Sequence, residues 1–179
     1  MSHILISTYK SIAGELIIGS YDNKLCMCDW RYRKMRSAID NRIKSELKAE
    51  FADGSSEIIT ETIVQLDNYF AGTLKEFDLP LHFIGTDFQK QVWNALLQIP
   101  FGKTLSYSAL SEKINNPGAI RAVASANGGN AISIIIPCHR IIGADGNLTG
   151  YAGGLPAKKK LLQLEGAFLT EQMEIGFLI

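Results

Sequence analysis

The 179-residue chain is 46% hydrophobic and 20% charged, which suits one large or two small packed cores and excludes a disordered or fibrous class. Its 18 Lys and Arg balance 18 Asp and Glu; 8 basic stand against 6 acidic residues after Gly85 and 10 against 12 before it, so no overall positive field announces a polyanion. Three cysteines, no basic leader and no apolar stretch of the ~18 residues needed to span a bilayer argue against a disulfide framework or membrane protein and lead us to expect a cytoplasmic chain with reduced thiols.

Alternating apolar residues predict strands over His3–Thr8, Gly14–Gly19 and Lys24–Trp30, the last two joined by a turn at Asp22-Asn23, so that the chain opens as a β-meander. Met35, Ile39, Ile43, Leu47 and Phe51 recur every four residues and predict a helix over 33 to 51. A second helical stripe uses Ile59, Ile63, Leu66, Tyr69 and Phe70 and stops at Gly72. Phe77 to Ile84, with Pro80, reads as an extended linker, which divides the chain into an α/β domain over 1–84 and a second domain over 85–179.

Thr86-Asp87 caps a helix carrying Phe88, Val92, Trp93, Leu96 and Leu97, closed by Ile99-Pro100-Phe101-Gly102. Helices over Thr104–Ile114 and Ala119–Ala126, separated by Asn115-Asn116-Pro117-Gly118, form a helix-turn-helix candidate, in which the second helix is the one that meets DNA. That helix is built of small residues with Arg121 as its only charge, so close backbone approach matters more there than charge; tight packing against another helix explains small residues equally well.

The run Ile132 to Ile136 reads as a short buried strand that must stop at Pro137, leaving the Cys138 thiol at a strand end. Neighbouring side chains leave an extended backbone in opposite directions, so His139 reaches Cys138 only through a turn or a bridging water. A Cys-His pair alone is equally a packed thiol beside a satisfied histidine. With Asn127 and Asn130 before it and Glu165 after it, the pair becomes a set of nucleophile, base and orienter. Between them, Gly143 to Gly154 holds five glycines, a candidate wall for a flat ligand, and no phosphate-binding glycine motif. Lys158-Lys159-Lys160 opens the last helix.

From Thr86 to Gly166 these segments, Thr86-Asp87-Phe88-Gln89, Ile99-Pro100-Phe101-Gly102, Ser106-Tyr107, Arg121-Ala122-Val123, Asn127 and Asn130, Pro137-Cys138-His139-Arg140, Gly150 to Leu155 and Leu164-Glu165-Gly166, closely resemble the O6-alkylguanine-DNA alkyltransferases. The resemblance implies a ribonuclease-H-like α/β domain followed by a mainly helical, winged-helix-like domain with the helix-turn-helix. It also implies single-turnover repair of alkylated double-stranded DNA, the alkyl group passing from guanine O6, or from alkylated thymine, to Cys138. No cofactor, membrane or obligate protein partner is expected, and a monomer is the default.

By the same resemblance His139 is the general base acting through water, and Glu165 orients it. Tyr107 rotates the target phosphate and donates its hydroxyl proton to guanine N3. Arg121 enters the stack vacated by the rotated nucleotide, with Ala122, Ser125, Ala126 and Asn130 on the DNA side; Asn130 is also the hinge joining the recognition helix to the active-site segment. The carbonyls of Cys138 and Ile141 receive the guanine amino group, the Ala152 N–H meets O6, Tyr151, Gly153 and Gly154 shape the pocket, and Lys158 stands at its mouth or simply in solvent.

Three positions depart from the family: Ala131 and Ser133 stand where prolines are frequent, and Ala152 where some members have serine, changes expected to loosen the pocket toward bulkier adducts. His3, Cys26, Cys28 and His82 are the one conceivable zinc set, but their spacing lacks a metal signature, so no metal is expected. Two other classes share parts of the pattern. A non-catalytic lesion binder would lack the cysteine, and a cysteine hydrolase would leave the helix-turn-helix idle.

Overall fold

A computed structural model describes residues 2–167 of the chain. Three antiparallel strands open it, β1 (His3–Ser11), β2 (Gly14–Tyr21) and β3 (Lys24–Trp30). Asp22 and Asn23 at the second hairpin both take positive φ, 48° and 53°, the left-handed pair that matches the twist of the flanking strands and that short polar side chains tolerate.

The first helical stripe resolves differently from its spacing. Helix α1 spans Arg36–Leu47 only, ends at Lys48 in the left-handed conformation, and gives way to a strand, β4 (Glu50–Asp53), that pairs parallel to β1 with Ile4 opposite Phe51. Met35 is exposed and Phe51 lies on the strand; only Ile39 and Ile43 of the stripe are buried. The sheet order is β3-β2-β1-β4. Helix α2 (Glu57–Phe70) starts where the Ser56 hydroxyl accepts the Ile59 N–H at 3.2 Å, and buries Ile59, Thr62, Leu66 and Tyr69 at helical spacing. One apolar cluster gathers Ile4, Met27, Ile39, Ile43, Ile84 and Ala131.

Among the described residues, 2–86 together with Ala131–Ile135 form one unit, and Asp87–Asn130 with 136–167 form the other. The division thus falls two residues later than expected, and a five-residue piece of the expected second domain belongs to the first. The reason is β3: its Cys28 N–H donates to the Ala131 carbonyl at 2.9 Å, and its Cys28 carbonyl accepts the Ser133 N–H at 2.7 Å. Pro80 to His82 also pair with β3, with Leu25 and Leu81 bridged.

The expected strand over Ile132–Ile136 is not continuous. Ile132 makes a single bridge to Cys28, and the backbone then turns at Ile134, whose φ of +72° is left-handed and closes strand pairing before Pro137 does.

In the second unit, α3 (Asp87–Leu97) buries Val92, Trp93 and Leu96. The expected helix over Thr104–Ile114 is a two-residue strand, β5 (Leu105–Ser106), followed by α4 (Tyr107–Lys113); α5 (Ile120–Gly128) completes the helix-turn-helix. The Trp93 indole N–H donates to the Ala126 carbonyl at 2.8 Å and fastens α3 to α5. Strand β6 (Ile141–Ile142) pairs parallel with β5, and α6 (Leu155–Leu164) closes the described chain.

Candidate active site

Cys138, His139 and Arg140 form one turn of 3-10 helix immediately after Pro137, and all three are buried. The turn replaces the strand end expected for the thiol. It shortens the rise between neighbouring side chains and removes the opposed directions that an extended backbone imposes.

Glu165, at the end of α6, is the centre of the charges here. Its Oε1 lies 2.7 Å from His139 Nε2. Arg140 grips the same carboxylate from the other side, Nε to Oε2 at 2.8 Å and Nη2 to Oε1 at 3.0 Å, and sends Nη1 to the Ile99 carbonyl at 2.6 Å. Burial by itself would push Glu165 up; the hydrogen bonds and charges of His139 and Arg140 outweigh it and hold the carboxyl at about 2. Burial lowers the His139 pKa, helped by the charges of Arg140 and Lys158, against the pull of Glu165. We therefore read the resting pair as neutral imidazole and ionised Glu165, with Arg140 as the permanent counter-charge.

An ionised carboxylate only accepts, so His139 must carry its proton on Nε2. That leaves Nδ1 as the basic nitrogen, and Nδ1 makes no hydrogen bond among the described residues.

The Ile99-Pro100-Phe101-Gly102 turn explains itself at this site. Gly102 has φ of +75°, and a Cβ there would stand 2.8 Å from the Glu165 carbonyl oxygen, so glycine alone fits. Its N–H donates to Glu165 Oε2 at 3.3 Å, and the Phe101 ring sits 5.9 Å below the Arg140 guanidinium.

Around the sulfur, Asn130 is buried and donates from Nδ2 to the Ile136 carbonyl at 2.9 Å and to Cys138 Sγ at 3.2 Å. It follows α5 in the chain and is buried, so it does not lie on that helix's exposed face. Lys158 is completely buried and donates to the carbonyls of Ile141 and Thr149, so neither solvent nor an open mouth is its place. Burial brings its pKa down to about 8, with the charge of Cys138 pulling the other way. An N–H donor and a nearby ammonium both favour negative charge on sulfur.

Tyr107 begins α4, whose cap is the Ser106 hydroxyl accepting the Ala109 N–H at 3.1 Å. Because Ser106 pairs with Ile142, the β5–β6 ladder seats Tyr107 beside the chain that leaves the Cys138 turn. The Tyr151 ring stands edge-on to His139 with centroids 6.5 Å apart, and Tyr151, Ala152, Gly153 and Gly154 are half-buried. On α5, Arg121, Ala122 and Ser125 are exposed along one face. Ala126, expected on the DNA side, turns inward at 2% exposure beneath Trp93.

Arg140 and Thr149 carried no role in the sequence reading. An arginine adjoining the Cys-His pair was the available signal for the first; the hydroxyl of Thr149 gave none among five glycines. Cys26 and Cys28 are buried, their thiols pushed up by burial, Cys26 to about 12. Among the described residues no group of three or more His, Cys, Asp and Glu gathers as for a metal.

Two family descriptions match the chain: "6-O-methylguanine DNA methyltransferase, ribonuclease-like domain" over 4–83 and "6-O-methylguanine DNA methyltransferase, DNA binding domain" over 87–167. A methylated-DNA--protein-cysteine methyltransferase of Methanosarcina acetivorans is 52% identical over 130 residues, 71% of this chain and 83% of that protein. The crystal structure of Mycobacterium tuberculosis O6-methylguanine methyltransferase superposes with a TM-score of 0.76 at 41% identity, covering 93% of this chain and 94% of that one. The same organism's protein in complex with DNA gives 0.77 at 41% identity, over 92% and 93%.

Proposed function

Because this chain belongs to the 6-O-methylguanine DNA methyltransferase family, we propose that it repairs DNA directly by taking the alkyl group of O6-alkylguanine onto Cys138. The sulfur attacks the alkyl carbon, the carbon–O6 bond breaks, and the guanine leaves with the bonding electrons. The product thioether has no leaving route, so each molecule acts once.

The observation that carries this reading is the Cys138-His139 turn with Glu165 fixed 2.7 Å from His139 Nε2. That contact dedicates Nδ1 to accepting the thiol proton, through a bridging water, and the imidazolium that results is stabilised by Glu165. Asn130 and Lys158 favour charge on the sulfur. Tyr107 supplies the proton that guanine N3 needs as it gains charge. The pocket is built from the carbonyls of Cys138 and Ile141, which take the guanine amino group, the Ala152 N–H, which takes O6, and the half-buried Tyr151 and Gly153. Ile141 has a second lone pair for this beside the one Lys158 uses.

A base stacked in a duplex cannot meet a buried thiol, so the nucleotide turns out of the helix at a cost of a few kcal/mol. Arg121, with Ala122 and Ser125 on the exposed face of α5, takes up the DNA and fills the gap.

Intact-mass measurement after incubation with a duplex carrying O6-methylguanine tests the proposal. One added methyl group per protein, absent in Cys138→Ala, is expected. Binding without a mass change would mean a lesion binder, and repeated turnover a hydrolase.

A further inference from the structure

We infer that Thr149 is a positioning residue that aims the Tyr107 hydroxyl, an inference that rests on the reading of Tyr107 as proton donor to the leaving guanine. The Thr149 hydroxyl donates to Tyr107 Oη at 3.3 Å across 42 residues of sequence. A phenol has one proton and two acceptor lone pairs. With Thr149 donating, the Tyr107 proton stays free for a substrate atom, and a hydrogen bond received on oxygen makes that O–H a stronger donor.

A threonine among glycines is an unsteady support unless something holds its backbone. Lys158 does so. Its buried ammonium donates to the Thr149 carbonyl at 3.0 Å and also to the carbonyl of Ile141. Ile141 pairs with Leu105 in the β5–β6 ladder, and two residues after Leu105 the chain reaches Tyr107. The links therefore form a closed ring, Tyr107 to Thr149 to Lys158 to Ile141 to β5 and back to Tyr107. A ring of this kind fixes the phenol oxygen relative to the backbone beside Cys138, which a lone tyrosine at a helix start would not.

The test is single-turnover methyl transfer from duplex O6-methylguanine, with DNA affinity measured separately, for Thr149→Val, Thr149→Ser, Tyr107→Phe and the Tyr107→Phe/Thr149→Val double variant. Thr149→Val should lower the maximal rate about three- to tenfold, the worth of one neutral hydrogen bond, with affinity held within about twofold. Thr149→Ser should restore the rate. In the Tyr107→Phe background Thr149→Val should cost nothing further, because the group it aims is gone.

Equal losses from Thr149→Val with and without the phenol, or no rescue by serine, would overturn the inference. So would a full rate in Thr149→Val when Tyr107→Phe is slow. A full rate in Tyr107→Phe itself would instead overturn the donor role, and the inference with it.

Discussion

Arg140 and Glu165 meet fork to fork, Nε on Oε2 at 2.8 Å and Nη2 on Oε1 at 3.0 Å, with both side chains out of solvent. This pairing decides the chemistry of a residue it does not include. With a permanent cation beside it, Glu165 has no need of a protonated His139 to stay ionised, so the imidazole can rest neutral, the form the proposed base requires. The proton it accepts then finds an anion already in place.

The same pairing makes a stability prediction. Glu165 sits at about 2 in the fold against an ordinary value of 4.5, a depressed carboxyl, so its contribution is complete above 4.5 and disappears as pH falls through about 2. The size is on the order of 3 kcal/mol. His139, also lowered, adds its own loss as pH falls below 6.5, where the unfolded chain takes up a proton that the folded one resists. Urea unfolding at pH 7, 4 and 3 should show wild-type stability falling most steeply in the acid interval. Glu165→Gln should be less stable at pH 7, since it strands buried Arg140, but flatter between pH 4 and 3. Parallel slopes in the two proteins would contradict this origin of the acid sensitivity.

Asn130 holds Cys138 Sγ at 3.2 Å and the Ile136 carbonyl at 2.9 Å with one amide nitrogen. Asn130→Asp keeps the shape and exchanges that donor for an acceptor bearing charge, which opposes a thiolate. The pH profile of iodoacetamide labelling at Cys138 should move upward by at least about one unit, and methyl transfer at neutral pH should fall by roughly a hundredfold. Asn130→Ala should lie between. An unmoved labelling profile would show that the contact does nothing for the sulfur.

How far the sequence reveals this site depends on how far apart the partners are. Cys138 and His139 are adjacent, and Asn130 and Glu165 stand in segments the family resemblance marks, so the sequence offers all four as candidates for one site. The four-residue spacing overextends α1 because Phe51 continues it by chance. What ends the helix is Lys48 turning left-handed, and what makes Phe51 a strand residue is pairing with Ile4, forty-seven positions away. The run of isoleucines misleads for a similar reason. Its apolar character reports burial correctly, whereas the left-handed turn at Ile134 and the bridge to Cys28 depend on β3, which no local pattern near residue 134 encodes. Lys158, in a basic triplet, reads as a solvated charge; only the carbonyls of Ile141 and Thr149, brought together by the fold, account for its burial.

Arg121 is exposed at the start of α5, beside exposed Ile120 and Ala122. If it fills the stack left by the rotated nucleotide, its value exists only when there is a duplex to open. Arg121→Ala should slow transfer from duplex O6-methylguanine at least about tenfold. Reaction with free O6-benzylguanine should stay within about twofold, since no base pair is broken there. The salt dependence of duplex binding should also flatten by about one counterion if the guanidinium neutralises a phosphate. Equal losses on both substrates would remove the flipping role.

Ser133 makes a backbone bond that a proline in its place lacks the means to make. Its N–H donates to the Cys28 carbonyl at 2.7 Å, and its hydroxyl lies 3.4 Å from Asp29 Oδ1, a buried carboxylate that also pairs with Arg33 at 3.0 Å and Arg36 at 2.9 Å. Ser133→Pro deletes the N–H and leaves a buried carbonyl on β3 short of a partner, a loss of about 1–3 kcal/mol. Ser133→Ala touches only the long hydroxyl contact and should cost under about 1 kcal/mol. Asp29→Asn removes the buried charge that faces Arg33 and Arg36, although Arg36 keeps Asp40 at 2.7 Å, and should cost more than either, roughly 3–5 kcal/mol. Denaturant unfolding of the three variants should give that order. A Ser133→Pro protein as stable as the wild type would mean that the pairing of Cys28 with Ser133 does not hold the segment leading into Cys138.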